Sequence, residues 1–243
     1  MATKYKIGKA LPRAAIGFRS EYLDFKRGIR VGNLEDNQRI TRILKLAIED
    51  AYQESFVTER YGRGVYWQWI GFLVRANRTA KPVSSNVSYG CCKFFLTIDS
   101  WDHLFKCGFS VERGFKKAPT DYQDIQLKPD WDWNRLLKQC RAESELYQEL
   151  KRLVTREGFV IDAGGWEDRI TFRKRSLPEP AKLRKVLREA PAESWAGFQV
   201  YYPMKEKEVS TAAGVDLIEA MLAVFREVTP AMNECMQTKL QLR

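Results

Sequence analysis

The sequence predicts an α+β fold with a mainly antiparallel sheet of about six strands, packed with several helices. A connection of five residues, DSWDH at 99–103, joins two strand-like segments, and Gly164-Gly165 separates two further extended runs. The elements follow the order α-β-β-β-α-β-β-α-β-α along the chain. Such short connections favour antiparallel neighbours, because parallel strands need long crossovers.

The chain is predicted to divide into a basic arm and one larger domain. Residues 1–33 are basic and interrupted by glycine and proline, which indicates an arm that packs only in part. Residues 34–243 are predicted to form a single α+β domain, since one core of this size can be stable. Two lobes, at 34–118 and 130–243, are the alternative.

The first half of the domain is predicted to hold one helix and a three-stranded meander. Apolar residues recur at helical spacing within residues 34–54. Three strands follow, at 65–74, 91–98 and 104–112. Alternation places Trp67 and Trp69 on one face of the first strand. Its other face is also apolar, which predicts a central strand that is covered on both faces.

The second half alternates helices with shorter strands. A long helix is predicted at 132–156, followed by a hairpin across Gly164-Gly165. A helix bounded by prolines, PEPAKLRKVLREAP, then precedes a sixth strand, WAGFQVYY. The remainder is predicted to be helical from about residue 208. A break is expected at Thr229-Pro230, because proline favours the first position of a new helix.

Few residues are available for metal binding or nucleophilic catalysis. The chain has one histidine, His103 in a predicted turn, and five cysteines without a CxxC pair. We therefore predict core cysteines, no disulfide, no metal site and no cofactor. Asp99 and Asp102 are predicted to be turn residues. Glu112 would lie at the far end of the third strand, too distant to share an ion with them.

Positive charge is the global property that points to a partner. The net charge is +10. Residues 1–31 hold eight Lys and Arg residues with two carboxylates, and residues 169–188 hold eight with one. Together these two segments contain more than the whole excess of positive charge. A basic balance favours anionic partners such as nucleic acid.

Two basic surfaces are predicted. In the meander, the end of the first strand and the end of the third meet at one end of the sheet. We name the cations there the strand-end cluster: Arg75, Arg78, Lys81, Arg113, Lys116 and Lys117. The second basic surface consists of Arg169, Arg173 and Arg175 on a strand and Lys182, Arg184, Lys185 and Arg188 on the next helix. Clustered cations suit phosphates, and the strand-end cluster is the predicted nucleic-acid- or anion-binding site. For the second basic surface, the sequence does not decide between a binding stripe and charges that keep an exposed sheet edge from pairing.

The sequence thus favours a cytoplasmic module that binds nucleic acid or another polyanion. No secretory signal and no membrane-spanning run are predicted. Two alternatives stay open. One is an enzyme that uses carboxylates in a cleft, and the other is an oligomeric scaffold in which another subunit covers the tryptophan-rich strand. Salt-dependent binding to DNA or RNA distinguishes the first function from the alternatives.

Overall fold

The fold, taken from a computed structural model, is one antiparallel sheet with helices packed against it. The structure describes residues 17–81, 88 and 90–241. The strands are β1 (Leu23–Asp24), β2 (Gly28–Arg30), β3 (Phe56–Arg63), β4 (Tyr66–Val74), β5 (Lys93–Asp99), β6 (Leu104–Arg113), β7 (Val160–Gly165), β8 (Ile170–Phe172) and β9 (Ala196–Lys205). The helices are α1 (Ile40–Tyr52), α2 (Arg75–Thr79), α3 (Asp132–Gln139), α4 (Glu145–Thr155), α5 (Pro180–Glu189), α6 (Glu206–Thr211) and α7 (Gly214–Cys235).

The predicted α+β class is confirmed, and the sheet is larger than the predicted six strands. It has nine strands in the described part of the chain, and seven of them run in the order β3-β4-β5-β6-β9-β7-β8. The β1–β2 hairpin pairs with β4 beside β5. It comes from residues 23–30 of the predicted arm, whereas residues 1–16 lie outside the described part of the chain. The predicted meander is present as β4-β5-β6.

The sheet has two different faces. The helix face is lined by alternate strand residues such as Phe72, Phe94, Phe109 and Phe198. These residues share one large core with the apolar residues of the helices. The opposite face, named the open face, carries a small cluster of Phe95, Val160 and Tyr201. None of the helices in the described ranges contributes a residue to that cluster.

A β-bulge in β4 separates the two tryptophans. Tyr61 pairs with Trp69. The next residue of β3, Gly62, pairs with Trp67, so Gln68 is an extra residue in β4. A bulge of this kind re-aims side chains, and Trp67 packs against the helix-face core whereas Trp69 packs against the open-face cluster. The prediction that both tryptophans share one face is wrong for this reason.

We expect Trp69→Ala to lower the free energy of unfolding by about 2 kcal/mol, less than a fully buried tryptophan would cost, because the ring is only partly buried. Urea unfolding of the variant and the wild type measures the difference. Trp101 is 95% exposed in the β5–β6 turn, so Trp101→Ala is the matched control and should change stability by less than about 0.5 kcal/mol. Equal stability of the two variants would contradict the packing of Trp69.

Two helices differ from the prediction. The helix predicted at 132–156 is divided into α3 and α4. Ser144 is the N-cap of α4, since its Oγ accepts a hydrogen bond from the Tyr147 N–H at 3.1 Å. In contrast, α7 continues through Pro230, where a break was predicted. Buried residues flank Pro230 on both sides, and this packing outweighs the hydrogen bond that proline cannot donate.

The cysteines and turn residues lie where the sequence predicts them. All five cysteines are buried in the interior. Asp99 and Asp102 accept hydrogen bonds from backbone N–H groups in the β5–β6 turn. His103 occupies the same turn in a left-handed conformation, with φ of 52°. Within the described ranges, no helix has the length and apolar character needed to cross a bilayer.

Candidate functional site

The ends of β4 and β6 meet at one end of the sheet, but part of the strand-end cluster is engaged inside the fold. Lys81 is fully buried. Its Nζ lies 3.0 Å from Asp132 Oδ1 and donates a hydrogen bond to the Asn77 carbonyl at 2.8 Å. Asn77 Nδ2 in turn donates to Asp132 Oδ2. This buried network joins α2 to α3, so Lys81 acts in the fold and is not exposed to a ligand.

Arg113 and Lys116 stabilise the end of α5. Arg113 is fully buried, and its Nη2 donates to the Pro191 carbonyl at 2.7 Å. Burial lowers the pKa of Arg113 to about 10. Lys116 Nζ donates to the Arg188 carbonyl at 2.6 Å, and burial, with help from the charges of Arg113 and Arg188, lowers its pKa. Cations at this position complement the negative end of a helix dipole.

The other three cations of the strand-end cluster are more accessible. Arg75 and Arg78 lie on α2, where Arg75 is exposed and Arg78 is partly exposed. The Lys117 side chain is 79% exposed and lies 3.8 Å from Glu193. The structure therefore leaves three of the six predicted cations accessible to a large anion. Because Lys116 contacts Arg188, the strand-end cluster adjoins the second basic surface at the end of α5.

The second basic surface contains a groove, which we name the α5 groove. It lies between α5 and the segment that joins α3 to α4, and its volume is about 550 Å³. The charged residues that line it are the cations Arg141, Arg184, Lys185 and Arg188 and the carboxylates Glu179 and Glu189. Cations thus outnumber carboxylates around the groove by two to one.

The helical period of α5 places Arg184 and Arg188 along the groove. Arg184 and Arg188 are four residues apart and share one side of the helix, while Leu183 and Leu187 are buried on another. The Arg184 Nε is buried and has no hydrogen-bond partner within the described part of the chain, as is also true of the Arg78 Nε in the strand-end cluster. A buried donor without an acceptor is unfavourable. A bound anion would supply that acceptor.

The strand part of the second basic surface is only partly as predicted. Arg173 and Arg175 are exposed. Arg169 instead approaches Asp162, with 4.0 Å between its Nε and Asp162 Oδ2. Ile170 is 45% exposed. The reason is that β8 is a three-residue edge strand, so that only Phe172 at its end reaches the core.

The open face carries a buried lysine between two carboxylates. Lys93 Nζ lies 2.8 Å from Glu59 Oε2 and 3.3 Å from Glu112 Oε2. Burial lowers the pKa of Lys93, but the carboxylates of Glu112 and Glu59 outweigh this effect and raise it above its ordinary value. Lys93 is consequently a fixed cation and unsuited to act as a general base.

A second lysine of the open face is also surrounded by acidic groups. The Lys106 side chain is 4% exposed, and its Nζ lies 2.8 Å from Asp99, 2.8 Å from Asp102 and 3.9 Å from Asp162. Tyr201 donates its hydroxyl to Asp162 Oδ2 at 3.2 Å. Burial and the Asp162 carboxylate raise the pKa of Tyr201 well above its ordinary value. The open face is therefore acidic, in contrast to the α5 groove.

No protein-family model, curated protein or solved structure matches the chain. Across the described ranges, no group of three or more His, Cys, Asp or Glu residues is arranged to hold a metal ion. Any assignment of function thus depends on the chemistry of the two surfaces.

Proposed function

We propose that this protein is a cytoplasmic binding module for a polyanion, with nucleic acid as the ligand and the α5 groove as the main contact. One observation carries the proposal. The groove gathers four cations, and the buried Nε of Arg184 among them has no acceptor. Guanidinium groups match phosphate oxygens in geometry and charge. The net charge of +10 supports an anionic partner.

An extended anion suits the surroundings of the groove better than a small one. Arg173, Lys174 and Arg175 are exposed shortly before α5 begins. Beyond the other end of the helix, Lys117 is exposed as well. Cations are therefore present before, along and after α5, which fits a ligand with many phosphates. The buried cysteines support a reducing compartment such as the cytoplasm.

The salt dependence of DNA binding tests the proposal. Fluorescence anisotropy of a labelled DNA duplex gives the association constant between about 50 and 200 mM salt. Each phosphate that a cation neutralises releases counterions, so the double variant Arg184→Ala/Arg188→Ala should reduce the slope of log affinity against log salt by about two. Its free energy of unfolding should change little, because Arg188 is exposed and the buried Arg184 Nε has no hydrogen bond to lose within the described part of the chain.

The matched control is the double variant Arg75→Ala/Arg78→Ala, which removes two cations from the strand-end cluster. It has the same net charge as the Arg184→Ala/Arg188→Ala variant. We expect this control to change the slope of log affinity against log salt less than Arg184→Ala/Arg188→Ala does. A fall of the slope in the control alone would assign the contact to the strand-end cluster and refute the α5 groove. Absence of binding by the wild type at about 50 mM salt, where basic proteins bind most readily, would refute nucleic-acid binding altogether.

A further inference from the structure

Two adjacent polar side chains of the open face, Ser110 and Gln199, make no hydrogen bond within the described part of the chain. Ser110 is 0% exposed, and its Oγ has no hydrogen-bond partner. Gln199 pairs with Ser110 in the sheet register and is 5% exposed. Its side chain makes no hydrogen bond within the described part of the chain. Buried polar groups are nearly always paired, so the unpaired Ser110 hydroxyl, with the Gln199 amide beside it, points to a group that binds there.

Free space lies beside these two side chains. Gly197 is two residues before Gln199 on β9 and shares its face, and a Cβ added at Gly197 would have no atom within 4 Å. The register partner of Gly197 is Glu112, two residues after Ser110 on β6. Two neighbouring pairs of the β6–β9 ladder, Ser110 with Gln199 and Glu112 with Gly197, therefore lie side by side on this face. The free space is at Gly197, next to the other three residues.

The polar groups of Ser110, Gln199 and Glu112 suit a cation. The Ser110 hydroxyl, the Gln199 amide oxygen and the Glu112 carboxylate can each accept a hydrogen bond. Glu112 Oε2 lies near Lys93 Nζ, and its side chain is 18% exposed. The positive charge of Lys93 is opposed by two carboxylates, those of Glu59 and Glu112. A net negative charge thus adjoins the free space and disfavours an anion.

We propose that the open face binds the primary ammonium group of a small organic cation. The ammonium group would lie over Gly197 and donate its three hydrogen bonds to Ser110, Gln199 and Glu112. An ammonium group has three donors and no acceptor, which matches three acceptors around one space. This site is separate from the α5 groove, and its occupancy does not depend on nucleic-acid binding.

The probe is n-butylammonium chloride. The control ligand is n-butanol, which has the same alkyl chain and no charge. Sodium chloride holds the ionic strength constant during the titration. The thermal midpoint should rise with n-butylammonium and not with n-butanol, since a ligand that binds only the folded chain stabilises it. Calorimetric titration gives the affinity. Ser110→Ala removes one acceptor and should weaken binding about tenfold. Gly197→Val fills the free space and should abolish binding.

Both variants are expected to fold. Ser110→Ala deletes a hydroxyl that has no partner, and Gly197→Val adds atoms where there is room. Circular dichroism and thermal unfolding without ligand check this. Ser100→Ala, in the exposed β5–β6 turn, is the matched control and should bind like the wild type. The proposal is overturned if n-butylammonium leaves the wild-type midpoint unchanged, or if Ser110→Ala binds it as tightly as the wild type does.

Discussion

Asp132→Ala is expected to lower the free energy of unfolding by about 3–5 kcal/mol, the range for a buried ion pair that loses one partner. The Asp132 carboxylate is fully buried and lies 3.0 Å from Lys81 Nζ. It also accepts hydrogen bonds from the Cys92 N–H at 2.6 Å and from Asn77 at 2.8 Å. Burial raises the pKa of Asp132, and these partners counteract the rise. Alanine removes the charge partner of the Lys81 ammonium group and leaves the Cys92 N–H and the Asn77 amide without this acceptor. Urea unfolding near pH 7 measures the cost.

An exposed aspartate provides the matched control. Asp36 is 72% exposed and lies 3.4 Å from Arg39, so Asp36→Ala should change stability by less than about 1 kcal/mol. The double variant Lys81→Met/Asp132→Ala should be more stable than Asp132→Ala alone, because it removes the unpaired charge. Asp132→Ala as stable as Asp36→Ala would show that the buried pair does not support the fold.

The strands that could be predicted are those with a strong local pattern. β5 and β6 alternate regularly and are joined by a short turn, which fixes their antiparallel pairing. The predicted hairpin of β7 and β8 is present, but Gly164 and Gly165 lie within β7 and the turn follows at 166–169, so the predicted turn position is wrong. In contrast, β3 has the sequence FVTERYGR and is only partly buried at the edge of the sheet. Its charged residues conceal the strand from a search for apolar alternation.

The bulge in β4 shows how one residue changes the functional interpretation of a strand. Alternation assigns Trp67 and Trp69 to the same face, and the sequence contains no turn or glycine at Gln68 that signals an irregularity. The bulge becomes visible only through the pairing of β4 with β3. Because β3 itself was not predicted, the local sequence pattern could not show that the bulge turns Trp67 and Trp69 to different faces.

The candidate site was predictable in its topology but not in its burial. The meander correctly brings the ends of β4 and β6 together. The partners that hold Lys81 and Arg113 inside the fold, Asp132 and Pro191, are distant in sequence and cannot be recognised from local spacing. Arg141 was missed because it lies in the break between α3 and α4, where the sequence predicts a continuous helix.

Lys93→Met is expected to lower the free energy of unfolding by about 3 kcal/mol near pH 7. Lys93 is fully buried, and its ammonium group holds the carboxylates of Glu59 and Glu112 at 2.8 and 3.3 Å. Methionine has a similar length but no charge, so the two carboxylates would lose their shared cation. Lys45→Met is the matched control, because Lys45 and Glu49 form a partly exposed pair at 3.7 Å. That control should cost less than about 1 kcal/mol.

The pH dependence of the Lys93→Met effect distinguishes a lost charge from lost packing. The carboxylates raise the pKa of Lys93 above its ordinary value of 10.5, so the folded chain holds this proton more tightly than the unfolded chain does. The resulting stabilisation is complete below pH 10.5 and decreases as the pH rises above it. The stability difference between wild type and Lys93→Met should therefore stay constant from about pH 7 to about pH 9 and become smaller near pH 11. A difference that is the same at every pH would mean that Lys93 supports the sheet by packing alone.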